Sequence, residues 1–180
     1  MAFYFKYIDY IIIIKLIKLD IIKAKDYLKK YKIKMEKNQS FIDFPQKLLK
    51  KDGETTFADV IKSAPLVGIY FSAHWCPPCR QFTPQLISFY NNVNKTQKEI
   101  EIVFVSSDQE EGEFKGYFAE MPWTAVPYDF EGREDLSENF EVAGIPTLLI
   151  FDNEGHLIDS KGKATLLGQG LAALQTWKKK

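Results

Sequence analysis

Two apolar runs on either side of one amphipathic stretch constrain the fold of this chain more than any other feature of its sequence. Residues 66–71 and 101–106 are almost continuously apolar, as expected of strands that are covered on both faces. Between them, apolar side chains recur at spacings of four, three and four residues: Phe82, Leu86, Phe89 and Val93. This spacing predicts a helix over residues 76–92. A strand, a helix and a strand in this order predict a βαβ unit, with parallel strands and a right-handed crossover.

Weaker patterns predict further elements around this unit, so we expect an α/β protein. Pro84 lies inside the predicted helix and should kink it rather than end it, because the apolar spacing continues beyond the proline. The other predicted elements are a short strand or turn at 41–49, a turn at 51–54, helices at 57–63, 113–119, 134–141 and 164–177, and strands at 147–151 and 156–159 joined by a hairpin turn at 152–155.

The first 34 residues differ in composition from the rest of the chain. They contain nine Lys and three Asp, which gives them a net charge of +6 and leaves −6 on the remainder of a formally neutral chain. No uncharged stretch among them is longer than residues 10–14, whereas a membrane-spanning helix needs roughly 20 residues. Three interpretations stay open: a disordered or loosely helical extension upstream of a start at Met35, a targeting or membrane-surface segment, and an added packing element. We predict a low-complexity, basic, Ile/Lys-rich extension over 1–34 that the chemistry does not need.

Cys76 and Cys79 are the only cysteines in the chain. A secreted disulfide scaffold needs several cysteines spread along the sequence, and a zinc site needs four ligands, so we expect neither. A close pair in an otherwise cysteine-free chain is typical of a reducing compartment, which predicts the cytoplasm, with the nucleus as an alternative. The formal net charge of zero argues against a nucleic-acid partner.

The positions of the two cysteines suit disulfide exchange. Cys76 lies where the predicted strand ends and the helix begins, and there free backbone N–H groups and the helix dipole favour a thiolate. Such positions can lower the pKa of a thiol to about 3.5–7.5. Cys79 follows one helical turn later on the same face, so it can attack a mixed disulfide formed at Cys76. The spacing therefore supplies both capture of a substrate and its release.

Three segments of the sequence resemble the thioredoxin superfamily. The first is similar to the superfamily's active site, and its Pro77-Pro78 pair is typical of the tryparedoxin and nucleoredoxin branch. The second resembles a stretch of that branch, and the third resembles the superfamily's cis-proline loop. In order, the segments are residues 71–80 (FSAHWCPPCR), residues 121–127 (MPWTAVP) and residues 144–147 (GIPT). The resemblance covers roughly residues 57–166 and implies a thioredoxin-like fold, with a central mixed β-sheet flanked by helices. From the residue pattern, we predict that the domain extends over residues 40–177.

The same resemblance implies roles for residues at the site. Cys76 would be the nucleophile and Cys79 the resolving thiol. Trp75 would form an apolar lip for substrate, and the backbone of Ile145 would pair with an extended substrate segment. Pro146 would follow a cis peptide bond and face the cysteines. The full set of implied substrate-binding residues is Trp75, Pro77, Pro78, Ile145 and Pro146.

One position departs from thioredoxins proper, in which a buried acid six residues before the nucleophile helps to deprotonate the resolving thiol. Here that residue is Tyr70. The proton acceptor for Cys79 is therefore open among Tyr70, His74 and water, although His74 is otherwise expected to be an exposed neighbour. Trp123 is equally consistent with core packing and with the rim of the substrate site.

The charged residues close to the cysteines are expected to be solvated. Arg80 should lie on a solvated helix face, with the binding of an anion as the alternative. An acidic run also follows the second apolar run, and we predict that it is solvated, with the binding of a cationic thiol as the alternative. The run consists of Asp108, Glu110, Glu111 and Glu113.

The resemblance implies a thiol–disulfide oxidoreductase that reduces protein or small-thiol disulfides and uses no cofactor. Its electron donor is open among trypanothione, glutathione and a thioredoxin reductase, and we expect a monomer. The alternative function is a redox-sensing binding module, in which the oxidation state of the cysteine pair controls association with a partner protein. A thiol peroxidase is disfavoured because the chain has no peroxidatic cysteine outside the pair.

Overall fold

A mixed β-sheet forms the centre of the region described by the computed structural model, which comprises residue 41 and residues 44–179. Its strands are β1 (Lys47–Lys50), β2 (Gly53–Thr56), β3 (Leu66–Ser72), β4 (Ile100–Ser106), β5 (Thr124–Ala125), β6 (Thr147–Asp152) and β7 (Leu157–Asp159). The α-helices are α1 (Phe57–Ser63), α2 (Pro77–Val93), α3 (Glu111–Ala119), α4 (Arg133–Asn139), α5 (Gly162–Gln169) and α6 (Ala173–Lys178), and a 3-10 helix (Gly170–Ala172) joins the last two.

The sheet places the predicted βαβ unit at its middle. The strands lie in the order β2-β1-β5-β4-β3-β6-β7. Strand β4 is parallel to both β3 and β5, and every other adjacent pair is antiparallel. The predicted parallel pairing of the two apolar runs is confirmed, with Tyr70 opposite Phe104. The expectation of a mixed sheet flanked by helices is also confirmed.

Apolar side chains cover both faces of the central strands, which explains why β3 and β4 are continuous apolar runs. Successive side chains of a strand point to opposite faces. Leu66 and Tyr70 of β3 therefore join the core under α2 and α3, whereas Val67, Ile69 and Phe71 join the core under α1 and α4. The cysteine-bearing helix α2 thus packs on a sheet that is buried along the full length of its middle strands.

The helix over residues 76–92 is confirmed as α2, and it continues through Pro84. The single helix predicted over 164–177 is wrong, because α5 ends before Gly170 and the chain resumes as α6. Gly170 has a φ of 57°, a left-handed conformation that glycine adopts without steric cost and that interrupts a right-handed helix. The strand or turn predicted at 41–49 and the turn predicted at 51–54 overlap β1 and the β1–β2 turn, whereas β2 and the two-residue β5 were not predicted; the hairpin at residues 152–155 was predicted.

None of the helices within residues 44–179 has the length and apolar character needed to cross a membrane. The predicted extension over 1–34, the start at Met35 and the domain boundary at residue 40 lie outside the described residues and stay predictions.

Candidate active site

The cysteine pair lies at the junction of β3 and α2. Strand β3 ends at Ser72, and four residues later Cys76 is the N-cap of the helix, with the extended backbone that this position requires. The N–H of Cys76 donates to the carbonyl of Ala73 at 3.3 Å, which closes the turn between strand and helix. A disulfide joins Cys76 to Cys79, and their Cα atoms are 5.2 Å apart. The sequence therefore folds so that a redox-active bond can form at the carboxyl end of a central strand.

The first turn of α2 offers the sulfur of Cys76 fewer donors than the sequence interpretation assumed. Pro77 and Pro78 occupy the first two helical positions, and proline has no N–H. The N–H of Cys79 is therefore the first that the helix can direct at this sulfur, and it donates to Cys76 Sγ at 3.3 Å. The prediction of several free N–H groups at this helix start is wrong. One hydrogen bond and the helix dipole favour a thiolate here.

The loop before β6 lies opposite the pair. The Ile145–Pro146 peptide bond is cis, so the prediction of a cis bond at this position is confirmed. The carbonyl oxygen of Ile145 is 4.0 Å from Cys76 Sγ, and the Ile145 side chain packs against the small buried cluster of Ala73, Cys76 and Cys79. The structure thus brings Ile145 to the cysteines, and the cis bond to Pro146 follows directly in the same loop.

The site combines buried sulfurs with an exposed aromatic ring. Cys76 is 4% exposed and Cys79 is 0% exposed, whereas Trp75 is 52% exposed. The indole Nε1 of Trp75 donates to the carbonyl oxygen of Ser107 at 3.1 Å, which holds the ring over the end of β4. An exposed, hydrogen-bonded ring beside the cysteines is suited to contact an apolar part of a substrate.

Asp108 is buried rather than solvated, so the prediction for this member of the acidic run is wrong. It is 1% exposed, and its Oδ1 accepts the backbone N–H of His74 at 2.7 Å. Its Oδ2 accepts the hydroxyl of Ser106 at 2.8 Å, and its own N–H donates back to that hydroxyl at 2.9 Å. In place of water, the carboxylate thus accepts the hydrogen bond of the His74 N–H, in the loop that leads to Cys76. Glu110 and Glu111 are exposed, as predicted.

Four hydroxyl groups form a closed, buried network beside the pair, which we call the hydroxyl cluster: Tyr70, Ser72, Thr83 and Tyr117. Ser72 donates to Tyr70 at 2.9 Å and lies 3.1 Å from the Tyr117 hydroxyl. Thr83 is hydrogen-bonded to both tyrosines, at 2.7 Å from Tyr70. The cluster joins β3, α2 and α3, and sequence reasoning missed it because its members are far apart in the chain and individually ordinary.

The hydroxyl cluster bears on the proton acceptor for Cys79. Burial raises the pKa of the Tyr70 phenol well above its usual value, and the nearby Tyr117 adds to this effect. Only a phenolate could accept the proton as a base, and burial disfavours that form at neutral pH. The structure therefore disfavours Tyr70 among the three acceptors that the sequence left open. The His74 ring lies edge-on to Tyr117, with centroids 5.9 Å apart.

The remaining predicted residues divide between surface and core. Arg80 is exposed, as expected. Trp123 is 2% exposed and packs edge-on against Tyr70 and Tyr90, with ring centroids 6.2 and 5.5 Å away. Core packing is thus the correct one of the two alternatives for Trp123.

Potential metal ligands cluster elsewhere, on the β6–β7 hairpin. Within the described ranges, the one group of three such residues is Asp152, Glu154 and His156. Burial alone would raise the pKa of Asp152, but hydrogen bonds from His156 and from the Glu154 N–H outweigh it and hold the pKa below its usual value. These bonds explain the cluster as the internal structure of a tight hairpin.

Comparisons with known proteins agree with this geometry. The family model described as thioredoxin-like matches residues 65–157. A nucleoredoxin from Danio rerio is 44% identical over 131 residues, which are 72% of this chain and 31% of that protein. The chain therefore spans about a third of the length of this curated relative.

Solved structures match this chain over most of their own length. The crystal structure of tryparedoxin I from Crithidia fasciculata is 42% identical, with a TM-score of 0.66, and the match covers 77% of this chain and 93% of that one. A tryparedoxin II structure in complex with glutathionylspermidine is 34% identical, with a TM-score of 0.66, and covers 74% and 92% of the two chains.

Proposed function

Since the chain belongs to the thioredoxin-like family, on the tryparedoxin and nucleoredoxin branch, and is a thioredoxin-like oxidoreductase, we propose that it reduces protein or small-thiol disulfides by dithiol exchange. The observation that carries the proposal is the Cys76–Cys79 disulfide at a helix N-terminus, opposite the cis-proline loop. A close cysteine pair in this position can alternate between disulfide and dithiol without any large rearrangement of the backbone.

In the first step, the Cys76 thiolate attacks one sulfur of a substrate disulfide. The substrate S–S bond breaks, a mixed disulfide forms between Cys76 and one half of the substrate, and the other half leaves as a thiolate that takes a proton from solvent. The hydrogen bond from the Cys79 N–H to Cys76 Sγ stabilises the attacking thiolate.

In the second step, the Cys79 thiol loses its proton and attacks the sulfur of Cys76. This attack reforms the Cys76–Cys79 disulfide and releases the second half of the substrate as a thiolate. Two electrons have then passed from the pair to the substrate, and an external thiol must return two electrons before the next cycle. Cys79 is suited to this internal attack because it is fully buried and one turn inside the helix.

The substrate surface in this proposal consists of Trp75, Pro77, Pro78, Ile145 and Pro146. The exposed Trp75 supplies an apolar contact on one side of the sulfurs. On the other side, the carbonyl oxygen of Ile145 lies 4.0 Å from Cys76 Sγ, and the backbone of this residue would pair with an extended substrate segment. No cofactor takes part in the proposed reaction, and the electrons move through the sulfurs alone.

For the electron donor we propose a small thiol, with a thioredoxin reductase as the alternative. The tryparedoxin II structure contains glutathionylspermidine, which shows that a protein with this fold can hold a small thiol compound. We propose a reducing compartment, the cytoplasm or the nucleus, because an isolated cysteine pair cycles only where a thiol pool can reduce it.

Insulin reduction tests the proposal. With dithiothreitol as donor, the protein should reduce insulin through many turnovers, and Cys76→Ser should fall to the uncatalysed rate. Supplying trypanothione, glutathione or a thioredoxin reductase in place of dithiothreitol then identifies the donor. If the oxidised and reduced protein differ in partner binding but turnover is absent with every donor, the redox-sensing module is the correct function instead.

A further inference from the structure

The buried carboxylate of Asp108 lies directly beneath the loop that leads to Cys76. It accepts the backbone N–H of His74, two residues before the cysteine, at 2.7 Å. The next loop residue, Trp75, donates its indole N–H to the carbonyl of Ser107, the residue before Asp108. Two consecutive loop residues are therefore fixed to two consecutive residues after β4. These two bonds restrict the motion of the loop that leads to Cys76.

The negative charge of Asp108 has no cationic partner within the described residues. None of their ion pairs includes it, and it is held by N–H and O–H donors alone. Arg133 and Glu134 of α4 line the same cavity of about 350 Å³ as Asp108. The guanidinium of Arg133 lies over the Tyr128 ring, 4.3 Å from its centroid. A buried charge that is hydrogen-bonded but not paired acts over a longer range than a paired one.

We infer that Asp108 is a positioning residue for disulfide exchange: it fixes the loop before Cys76, and its buried charge makes the dithiol a stronger reductant than it would otherwise be. This inference deepens the proposed function and rests on it. Asp108 does not touch the reacting sulfurs, so it acts through the loop and through its electric field.

The direction in which Asp108 changes the reducing strength of the dithiol follows from the negative charge that reduction creates. The disulfide takes up two electrons and one proton and becomes a Cys76 thiolate and a Cys79 thiol. The oxidised pair is neutral, whereas the reduced pair carries one negative charge. A nearby carboxylate disfavours the charged form, so the reduced pair gives up its electrons more readily. Removing the carboxylate should stabilise the thiolate and make the pair more oxidising.

The test compares Asp108→Asn with Glu110→Gln. Both changes remove one negative charge, but Glu110 is exposed and its charge is screened by solvent. The asparagine keeps a carbonyl oxygen that can accept the His74 N–H. Each protein is equilibrated with a reference glutathione couple, and the pKa of Cys76 is read from the pH dependence of its alkylation.

For Asp108→Asn we expect the oxidation equilibrium to shift about tenfold toward the dithiol, or about 30 mV, with Cys76 alkylating at lower pH. This is the size expected for two unit charges on the order of 10 Å apart in a partly buried site. Glu110→Gln should not change either quantity. The difference should disappear at a pH below the pKa of Cys76, because the reduced pair then carries no charge there.

His74 also lies on this loop, so the comparison is repeated in a His74→Gln background, where the shift should persist. Asp108→Ser provides a second uncharged variant if the asparagine does not fold. A folded uncharged variant with an unchanged equilibrium and unchanged alkylation would overturn the inference, and so would an equal shift in Glu110→Gln. Because the glutathione couple needs no natural substrate, a shift without insulin turnover would instead contradict the proposed function.

Discussion

The exchange region, which comprises residues 75–79 with Ile145 and Pro146, and the hydroxyl cluster lie next to each other but differ in exposure and charge. Thr83 of the cluster is one helical turn after Cys79 on α2. The exchange region exposes Trp75 and holds a bond that must break and reform. In the cluster, all four residues are buried, and each hydroxyl is bonded to at least two others.

Because of this difference, the residues that carry out the exchange are separate from those that stabilise the fold, although both groups include residues of α2. Neutral hydroxyls that satisfy one another can hold β3, α2 and α3 together without creating a charge near the sulfurs. The exchange region instead exposes Trp75, Pro77 and Pro78 around its two buried sulfurs, and these exposed residues contribute little to the core. Changes to the exchange region should therefore alter turnover but not folding, and changes to the hydroxyl cluster should do the opposite.

The largest effect is expected for Cys76→Ser. Turnover should fall by about 1,000-fold or more, because the attacking sulfur is lost. The free energy of unfolding should stay within about 1 kcal/mol of the reduced wild type, since a serine hydroxyl can also accept the Cys79 N–H. Insulin reduction and urea unfolding under reducing conditions measure the two quantities. A large loss of stability would show that the regions are not separable.

Tyr117→Phe should show the opposite behaviour. It removes one hydroxyl and leaves Ser72 and Thr83 each with one partner fewer, which should lower the free energy of unfolding by about 1–3 kcal/mol. Turnover of the folded protein should stay within about twofold. Tyr128→Phe is the matched control, because its hydroxyl bonds at the surface to the Gln109 carbonyl and should cost less than about 0.5 kcal/mol. A drop in turnover that parallels the loss of stability would show that the hydroxyl cluster takes part in the reaction.

High pH should weaken the hydroxyl cluster. Burial raises the pKa of Tyr70 above that of an unfolded tyrosine, so the unfolded chain releases this proton first as pH rises. The stability that Tyr70 contributes is complete below about pH 10 and should fall by about 1.4 kcal/mol per pH unit above it. Urea unfolding between pH 9 and 11 (about the unfolded tyrosine pKa) measures the slope. In Tyr70→Phe the free energy of unfolding should fall less steeply with pH, by that amount. A slope equal to that of the wild type would contradict the raised pKa of Tyr70.

The central strands and the cysteine-bearing helix were predictable because their signals are local and strong. Residues 66–71 and 101–106 are apolar along their length, and the helix shows a regular apolar face. The β1–β2 hairpin was only partly predictable, because its turn has a clear sequence signal but Lys47–Lys50 and the edge strand Gly53–Thr56 are short and mostly exposed. Their strand conformation comes from pairing with each other and with β5, which is a tertiary interaction.

At the site, the sequence indicated the residues that carry the chemistry but not the polar groups that support them. Cys76, Cys79 and Ile145 belong to short motifs, and the structure brings them together. Asp108 begins an acidic run that has the composition of a solvated loop, and only the fold shows that it is buried under His74. The missing N–H groups at Pro77 and Pro78 could have been read from the sequence, since proline has no amide hydrogen.

A smaller effect is expected for Pro78→Ala. The N-cap side chain accepts from the second or third helical N–H, and Pro78 occupies the second helical position. Alanine would add one donor toward Cys76 Sγ and should lower the pKa of Cys76 by about half a unit to one unit. The pH dependence of iodoacetamide alkylation measures this pKa. Gln81→Ala, an exposed change later in α2, should leave it unaltered. An unchanged pKa in Pro78→Ala would show that the dipole, and not the number of donors, sets the charge on Cys76.

Covalent capture of a disulfide substrate tests the division of roles between the two cysteines most directly. Reduced Cys79→Ser and reduced Cys76→Ser are each mixed with an insulin or glutathione disulfide, and the mixed disulfides are identified by mass spectrometry without reductant. Cys79→Ser should accumulate a stable mixed disulfide at Cys76, because the attack succeeds and no thiol resolves it. Cys76→Ser should capture nothing, because Cys79 is fully buried. Capture by Cys76→Ser with none by Cys79→Ser would contradict the account and reverse the roles of nucleophile and resolving thiol.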